Sequence, residues 1–272
     1  MSVIVIIPAR YQSTRFPGKA LVELRGFDGT PRSLIRRTWD AASDVRGVDT
    51  VHVATDDRRI ADHVEAFGAH VVLTSPACRN GTERCAEALA LLDPDAQAAI
   101  IVNIQGDAPL VPRRFVEALI GVLKADPSAG VATPVLRCDP VTLDALREDR
   151  RHGRVGATTA VFDHSMNALY FSKEIVPAVG PVDRSDAATT DVPPVYHHLG
   201  VYAYRRQALL AYVGWPEGPL ESAEGLEQLR FLENGESIRC VDVDSGGRII
   251  PELNNPIDVA RIEAVLRAEG RP

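Results

Sequence analysis

The sequence predicts an α/β fold: a mostly parallel sheet with helices on both faces and a smaller antiparallel extension. Three observations predict it. The chain opens on a continuous apolar run, residues 3–7, which suits a central strand covered on both sides. Strand-like and helix-like stretches then alternate as far as residue 104, a pattern that implies right-handed crossovers and strands running one way. Beyond residue 130 several strand-like stretches follow with little helix between them, so that part is expected to pair antiparallel. A length of 272 residues fits one domain, 1–272, with residues 155–215 as the extension.

The elements follow in order. After strand 3–7 come a polar loop and a helix near 33–42. A second strand, 50–55, ends in the acidic pair Asp56 and Asp57. A helix over 59–67, a strand over 70–73, a helix over 81–92 and a fourth strand over 99–104 complete the alternation. In such sheets ligands bind beyond the carboxyl ends of the strands. The two densest polar loops, after Ile7 and after Ile104, follow strands directly and should open on the same edge. Residues 130–135, 157–162, 168–171 and 198–204 read as strands. The stretch 180–194, rich in Pro, Asp, Ala and Thr, reads as a mobile loop. A helix over 220–233, a strand over 238–243 and a closing helix over 255–269 end the chain.

Composition narrows the class. With 45% hydrophobic and 25% charged residues the chain is globular. No apolar run approaches the roughly 18 residues of a membrane span. The opening ten residues show neither a charged leader nor a cleavage site, so the expected location is the cytoplasm. The net charge of −7 argues against a general nucleic-acid surface. A small anion needs only a few well-placed cations in a cleft. Cys78, Cys85, Cys138 and Cys240 match no paired zinc spacing and read as reduced thiols.

The loop Pro8-Ala9-Arg10-Tyr11-Gln12-Ser13-Thr14-Arg15-Phe16-Pro17-Gly18-Lys19 sets three cations among small residues. It is no Walker A loop, because Ala20 follows Gly18-Lys19. Displacing pyrophosphate from a nucleoside triphosphate requires cations on the leaving group. Arg10, Arg15 and Lys19 can supply them, while Ser13, Thr14 and Gly18 let backbone N–H groups approach. The plainer reading is a solvated charged loop. The turn Asn103-Ile104-Gln105-Gly106-Asp107-Ala108-Pro109 ends a buried strand with a carboxylate. Asp107 there can hold Mg2+, which takes one or two carboxylates plus substrate phosphates; alternatively it is an ordinary turn aspartate. Its pairing with the cationic loop favours metal.

These blocks, with Gly81-Thr82-Glu83-Arg84, Ala168-Leu169-Tyr170-Phe171-Ser172, His198-Leu199-Gly200-Val201-Tyr202, Pro219-Leu220-Glu221 and Leu226-Glu227-Gln228-Leu229-Arg230, resemble the 3-deoxy-manno-octulosonate (KDO) cytidylyltransferase family. The resemblance covers nearly the whole chain. It implies a nucleotide-diphospho-sugar transferase-like, Rossmann-like fold, a homodimer formed through the extension, CTP and Mg2+ as ligands, and attack of the acceptor's anomeric hydroxyl on the α-phosphorus. It implies a triphosphate loop of Pro8, Ala9, Arg10, Ser13, Thr14, Arg15, Gly18 and Lys19. On the same grounds Thr82, Glu83, Arg84 and Gln105 belong to the nucleotide side and Asp107 to the metal. His198, Tyr202, Glu224 and Gln228 fall near the acceptor. Read without the resemblance, His198 is a strand histidine at a dimer contact, and Glu224 and Gln228, one helical turn apart, are a solvated face.

Departures cluster on the metal and acceptor side. In Leu253-Asn254-Asn255-Pro256, Asn254 stands where the family carries a second metal aspartate. An amide oxygen can ligate magnesium but brings no formal charge; Glu252 or a substrate oxygen would compensate. Ala108 replaces a glutamate, and Thr159 replaces a lysine near the acceptor, where Arg154 could restore a cation. Residues 26–31 lengthen the early loop. The resulting expectation is transfer of CMP from CTP to a small acidic acceptor, KDO or a close sugar acid. The alternatives are a phosphonate acceptor such as phosphonoformate, and a non-catalytic nucleotide sensor. A dinucleotide dehydrogenase is disfavoured, because no GxGxxG follows the first strand.

Overall fold

The computed structural model describes residues 1–13, 15–93, 95–153, 157–179, 194–246 and 250–272. Strand β1 (Ser2–Ala9) leads into a one-turn 3-10 helix (Lys19–Leu21), a hairpin of β2 (Glu23–Arg25) and β3 (Pro31–Ser33), and α1 (Leu34–Ser43). The alternation continues with β4 (Thr50–Thr55), α2 (Arg58–Ala66), β5 (His70–Leu73), α3 (Gly81–Leu92), β6 (Ala98–Ile104), α4 (Arg113–Ala125), β7 (Val131–Arg137) and α5 (Pro140–Arg151). Then come β8 (Thr158–Phe162), β9 (Ala168–Ser172), β10 (Tyr196–His198), β11 (Val201–Arg205), α6 (Arg206–Gly214), α7 (Pro219–Glu224), α8 (Leu229–Glu233), β12 (Ile238–Asp242) and α9 (Asp258–Ala268).

Ten strands form one sheet in the order β5-β4-β1-β6-β11-β7-β10-β8-β9, with β12 on the far side of β7. Strands β5, β4, β1, β6, β7, β12 and β8 run one way, and β11, β10 and β9 the other. The opening strand explains the two-sided cover. Val3, Val5 and Ile7 point into one core with α1, α2 and α4, while Ile4 and Ile6 point into the other with α3, α6 and α8. A third, smaller core joins α9 to the β2–β3 hairpin through Leu24, Leu34, Leu253, Ile262 and Leu266.

Four expectations are corrected. The lengthened early loop is the turn of the β2–β3 hairpin. Helices α4, α5 and α6 lie where none was expected. The helix expected over 220–233 is two short helices separated by Gly225, whose left-handed φ of 59° ends α7. The strand expected over 198–204 is broken at Leu199 and Gly200 into β10 and β11, because β7 flanks both halves while β8 and β6 follow one another along the opposite edge. Of the stretch 180–194, expected to be mobile, residues 180–193 lie outside the described residues. No helix among the described residues is long and apolar enough to cross a membrane.

Candidate active site

Strands β1 and β6 are parallel neighbours, so the loops leaving their carboxyl ends meet. Gly106 donates its N–H to Pro8 O at 3.2 Å, and a Cβ on Gly106 would lie only 2.9 Å from that same oxygen. Only glycine lets the acidic turn close against the cationic loop. Thr38 of α1 ties the turn from below, donating to Gly106 O at 3.1 Å.

Lys19 and Asp107 form an ion pair at this junction, with side chains 16% and 21% exposed. Lys19 also donates to Leu253 O at 3.2 Å, and Leu253 N–H donates to Asp107 O at 3.0 Å. Arg15 reaches the same segment, giving an N–H to Asn254 Oδ1 at 2.7 Å. The carboxylate of Asp258 holds the segment in place by accepting from Asn254 N and Asn255 N at 3.0 and 2.7 Å. Glu252 completes the group: burial and the neighbouring charge of Asp107 push its carboxyl up to about 7, against the opposing pull of Asn254, Lys19 and Arg15. Arg10 is exposed, and Ser13 lies half-buried in the loop. Thr14 falls outside the described residues.

The residues expected on the nucleotide side gather around the start of α3. Asn80 caps that helix by accepting from Glu83 N at 2.8 Å, and Gln105 lies against it, its Nε2 placed 2.6 Å from where a Cβ on Gly81 would be. Gln105 donates weakly to Asn103 Oδ1 and Glu227 Oε1, at 3.4 and 3.5 Å. Glu227 also accepts from Thr82 N at 3.3 Å, and burial raises its carboxyl above the usual range. Thr82 is buried with its hydroxyl 2.9 Å from that of Tyr204. The Glu83 and Arg84 side chains already have protein partners. Glu83 accepts from Arg79 at 2.6 Å and from Arg230 at 3.1 Å; Arg84 donates to Thr74 Oγ1 at 2.6 Å and lies 3.3 Å from Asp56.

Of the residues expected near the acceptor, His198 is buried, with Nε2 2.9 Å from Thr133 Oγ1 and its ring edge-on to Phe171. Burial holds its pKa down to about 3, so the ring is neutral at physiological pH. Tyr202 stacks on Tyr204 at 5.7 Å between centroids. Glu224 accepts from Ser172 Oγ at 2.6 Å and from Lys173 N at 2.9 Å, fixing the end of β9 to α7. Gln228 is 3% exposed, and its Nε2 meets no acceptor among the described residues. Thr159 donates to Glu174 O at 2.6 Å and accepts from Val176 N at 3.1 Å, so it fastens the chain after β9. Arg154 lies outside the described residues.

Two groups escaped the sequence reading. The Leu253 carbonyl carries no side-chain signature. Glu227 lay inside a quoted block, and only the fold sets it across from Gln105 and the start of α3. Asp107, Asn254 and Glu252 offer the hard oxygen donors that Mg2+ prefers, and two of them are met by cationic side chains, Lys19 on Asp107 and Arg15 on Asn254. That donor set fits a divalent cation.

Cations of the loop after β1 facing a carboxylate turn, at the carboxyl edge of a largely parallel sheet, are the arrangement of a nucleotidyltransferase of the nucleotide-diphospho-sugar transferase kind. The comparisons agree: the sequence profile described as Cytidylyltransferase matches residues 4–238. The chain belongs to the 3-deoxy-manno-octulosonate cytidylyltransferase family. The protein of that name from Maricaulis maris is 44% identical over 99% of this chain and 99% of its own length. The one from Chlamydia pneumoniae is 41% identical over 95% and 91%. Among solved structures, CMP:2-keto-3-deoxy-manno-octonic acid synthetase complexed with CTP superposes with a TM-score of 0.81 and 31% identity, covering 99% of this chain and all of that one (100%). The 4-diphosphocytidyl-2C-methyl-D-erythritol synthase of Anaerococcus prevotii shares the fold, with a TM-score of 0.59 and 14% identity over 98% and 96% of the two chains.

Proposed function

We propose that the chain transfers CMP from CTP to 3-deoxy-manno-octulosonate and releases pyrophosphate. The observation that carries this is the junction of Lys19, Asp107 and the 252–254 segment, in which the loop after β1 sends Lys19 to the carboxylate turn and Arg15 to Asn254. The names of the relatives and the CTP bound to the structural neighbour support the choice of substrates.

The acceptor's hydroxyl attacks the α-phosphorus and the bond to pyrophosphate breaks in line. Arg10, Arg15 and Lys19 draw the leaving group's charge, and the backbone N–H groups beside Ser13 add dipoles, while the Gly18 N–H donates to Tyr11 O at 2.8 Å and shapes the loop instead. Asp107, Asn254 and Glu252 would hold Mg2+, which when bound neutralises charge on the phosphate oxygens. On the nucleotide side, Gln105 and Thr82 line the start of α3. His198 and Glu224 hold the acceptor side in shape through Thr133 and Ser172. The unmatched Nε2 of Gln228 is a buried donor, and such a group costs about 1–3 kcal/mol unless something accepts from it; a carboxylate or hydroxyl of the sugar acid supplies that acceptor. The same proposal includes a homodimer in the cytoplasm, to be checked by light scattering and cell fractionation.

The test is incubation with CTP, Mg2+ and either KDO or phosphonoformate, measuring pyrophosphate and identifying the CMP conjugate by mass spectrometry. CMP-KDO is the expected product. Tight CTP binding with no pyrophosphate from any sugar acid would leave a nucleotide sensor instead.

A further inference from the structure

Tyr11 and Arg59 make a contact that the transfer chemistry does not use. Arg59 sits in the first turn of α2, the crossover helix after β4. The carboxylate of Asp57 accepts three bonds from it: the backbone N–H at 3.0 Å, Nε at 2.9 Å and NH2 at 2.6 Å. One side chain thus caps the helix and fixes the guanidinium plane. That plane lies over the ring of Tyr11, 3.3 Å from its centroid. The same ring touches Gly18, where a Cβ would fall 3.1 Å from Cζ and 3.2 Å from the hydroxyl oxygen. Gly18 has a left-handed φ of 72°, donates its N–H to Tyr11 O at 2.8 Å, and directly precedes Lys19.

We propose that Asp57, Arg59 and Tyr11 form a clamp that sets the backbone of the triphosphate loop before CTP arrives, which makes Arg59 and Tyr11 positioning residues for Lys19 and Gly18. The inference rests on the cytidylyltransferase reading of the site. The described residues between Ala9 and Lys19 have no regular secondary structure of their own, so their backbone depends on contacts with neighbouring elements. An unheld loop loses conformational freedom on meeting the triphosphate, which weakens binding, and it misplaces the ammonium, which slows transfer. Closing the loop by one backbone bond and stacking one ring under a fixed guanidinium removes both costs. The stack needs a planar cation: an ammonium is compact and strongly hydrated, and cannot lie flat on a ring while bidentate to Asp57. Because the Arg59 side chain is 60% exposed, its replacement leaves the cores intact.

The experiment is steady-state pyrophosphate release by the full chain with CTP and KDO, for Arg59→Ala, Arg59→Lys, Tyr11→Leu and Tyr11→Phe, with a thermal melt of each. Arg59→Ala, Arg59→Lys and Tyr11→Leu should raise the KM for CTP about tenfold. The KM for KDO should stay near wild type in every variant, and so should the melting temperature of the two Arg59 variants; Tyr11 packs against the main core, so Tyr11→Leu is read against its own melt. Tyr11→Phe keeps the ring and should stay within about twofold of wild type. The clamp is overturned if Arg59→Ala and Tyr11→Leu leave the KM for CTP unchanged. It is equally overturned if Arg59→Lys matches wild type, which would make Arg59 a simple charge contact to phosphate. A wild-type chain that released no pyrophosphate would instead sink the transferase reading, and calorimetric CTP binding by the same variants then decides the clamp.

Discussion

Replacing Lys19 with alanine removes an ammonium that touches both the Asp107 carboxylate and the Leu253 carbonyl. With side chains 16% and 21% exposed, the pair sits in a cleft that water reaches only in part. A unit charge about 4 Å from a phosphate oxygen is worth about 4 kcal/mol at an effective dielectric of about 20. Loss of one preorganised electrostatic group costs about 10²–10³ in rate, which converts to about 2.7–4 kcal/mol of transition-state stabilisation. The effect on folding is much smaller, because a partly solvated ion pair contributes about 1 kcal/mol or less. Lys19→Ala should therefore melt near wild type and lose at least about a hundredfold in kcat. A coupled pyrophosphate assay at saturating CTP and KDO measures the rate, and a thermal scan measures the fold. Combining Lys19→Ala with Asp107→Asn should cost less than the product of the two effects, since the groups share one contact. Turnover of Lys19→Ala within a factor of a few of wild type would refute the electrostatic argument.

Three further outcomes follow from the geometry. Asn254→Asp restores formal charge beside Asp107 and should tighten Mn2+ binding about tenfold, while Glu252→Gln should weaken it, both read by electron paramagnetic resonance titration of the metal alone; unchanged affinity in both variants would remove these two residues from the metal site. His198 and His197 are held down to about 3 and about 4 by burial, against 6.5 when unfolded, so the unfolded chain takes up their protons first as the pH falls. Their contribution is full above pH 6.5 and shrinks as the pH drops through the window toward those values, by up to about 1.4 kcal/mol per pH unit for each. Urea midpoints at neutral and mildly acid pH should show the fall, and His198→Gln should flatten it; equal slopes would contradict the assignment. Arg230 is 1% exposed and bidentate to Glu221, at 2.6 and 2.7 Å. Arg230→Leu strands that carboxylate and should destabilise the chain by about 3–5 kcal/mol in chemical denaturation, and Glu221→Leu in the same chain should recover part of the loss.

Much of the architecture was legible. The apolar run 3–7 became a strand buried on both faces, and the loops after Ile7 and Ile104 open side by side. Helix α4 was equally legible and was missed: Phe115, Val116, Leu119, Ile120 and Leu123 recur at helical spacing and all face the core. Helix α5 announces itself with Asp139 as cap and Pro140 in its first turn. The break between β10 and β11 had no such signal. Residues 198–204 carry one strand-like pattern, and only the neighbours on either edge divide it.

By itself the sequence determined which residues reach the working edge of the sheet. Parallel strands joined by right-handed crossovers bring every carboxyl end to one side, so the cationic loop and the Asp107 turn had to share it. Tertiary structure decided which partner each charge meets. Lys19 finds Asp107 across 88 residues and the Leu253 carbonyl across 234. Glu83, within a block read as nucleotide-binding, is held by Arg79 four residues away and by Arg230 across 147. Helical and strand periodicity are local properties of the chain. A charge pairs with whatever lies within a few ångströms, and that distance exists only once the layers have packed.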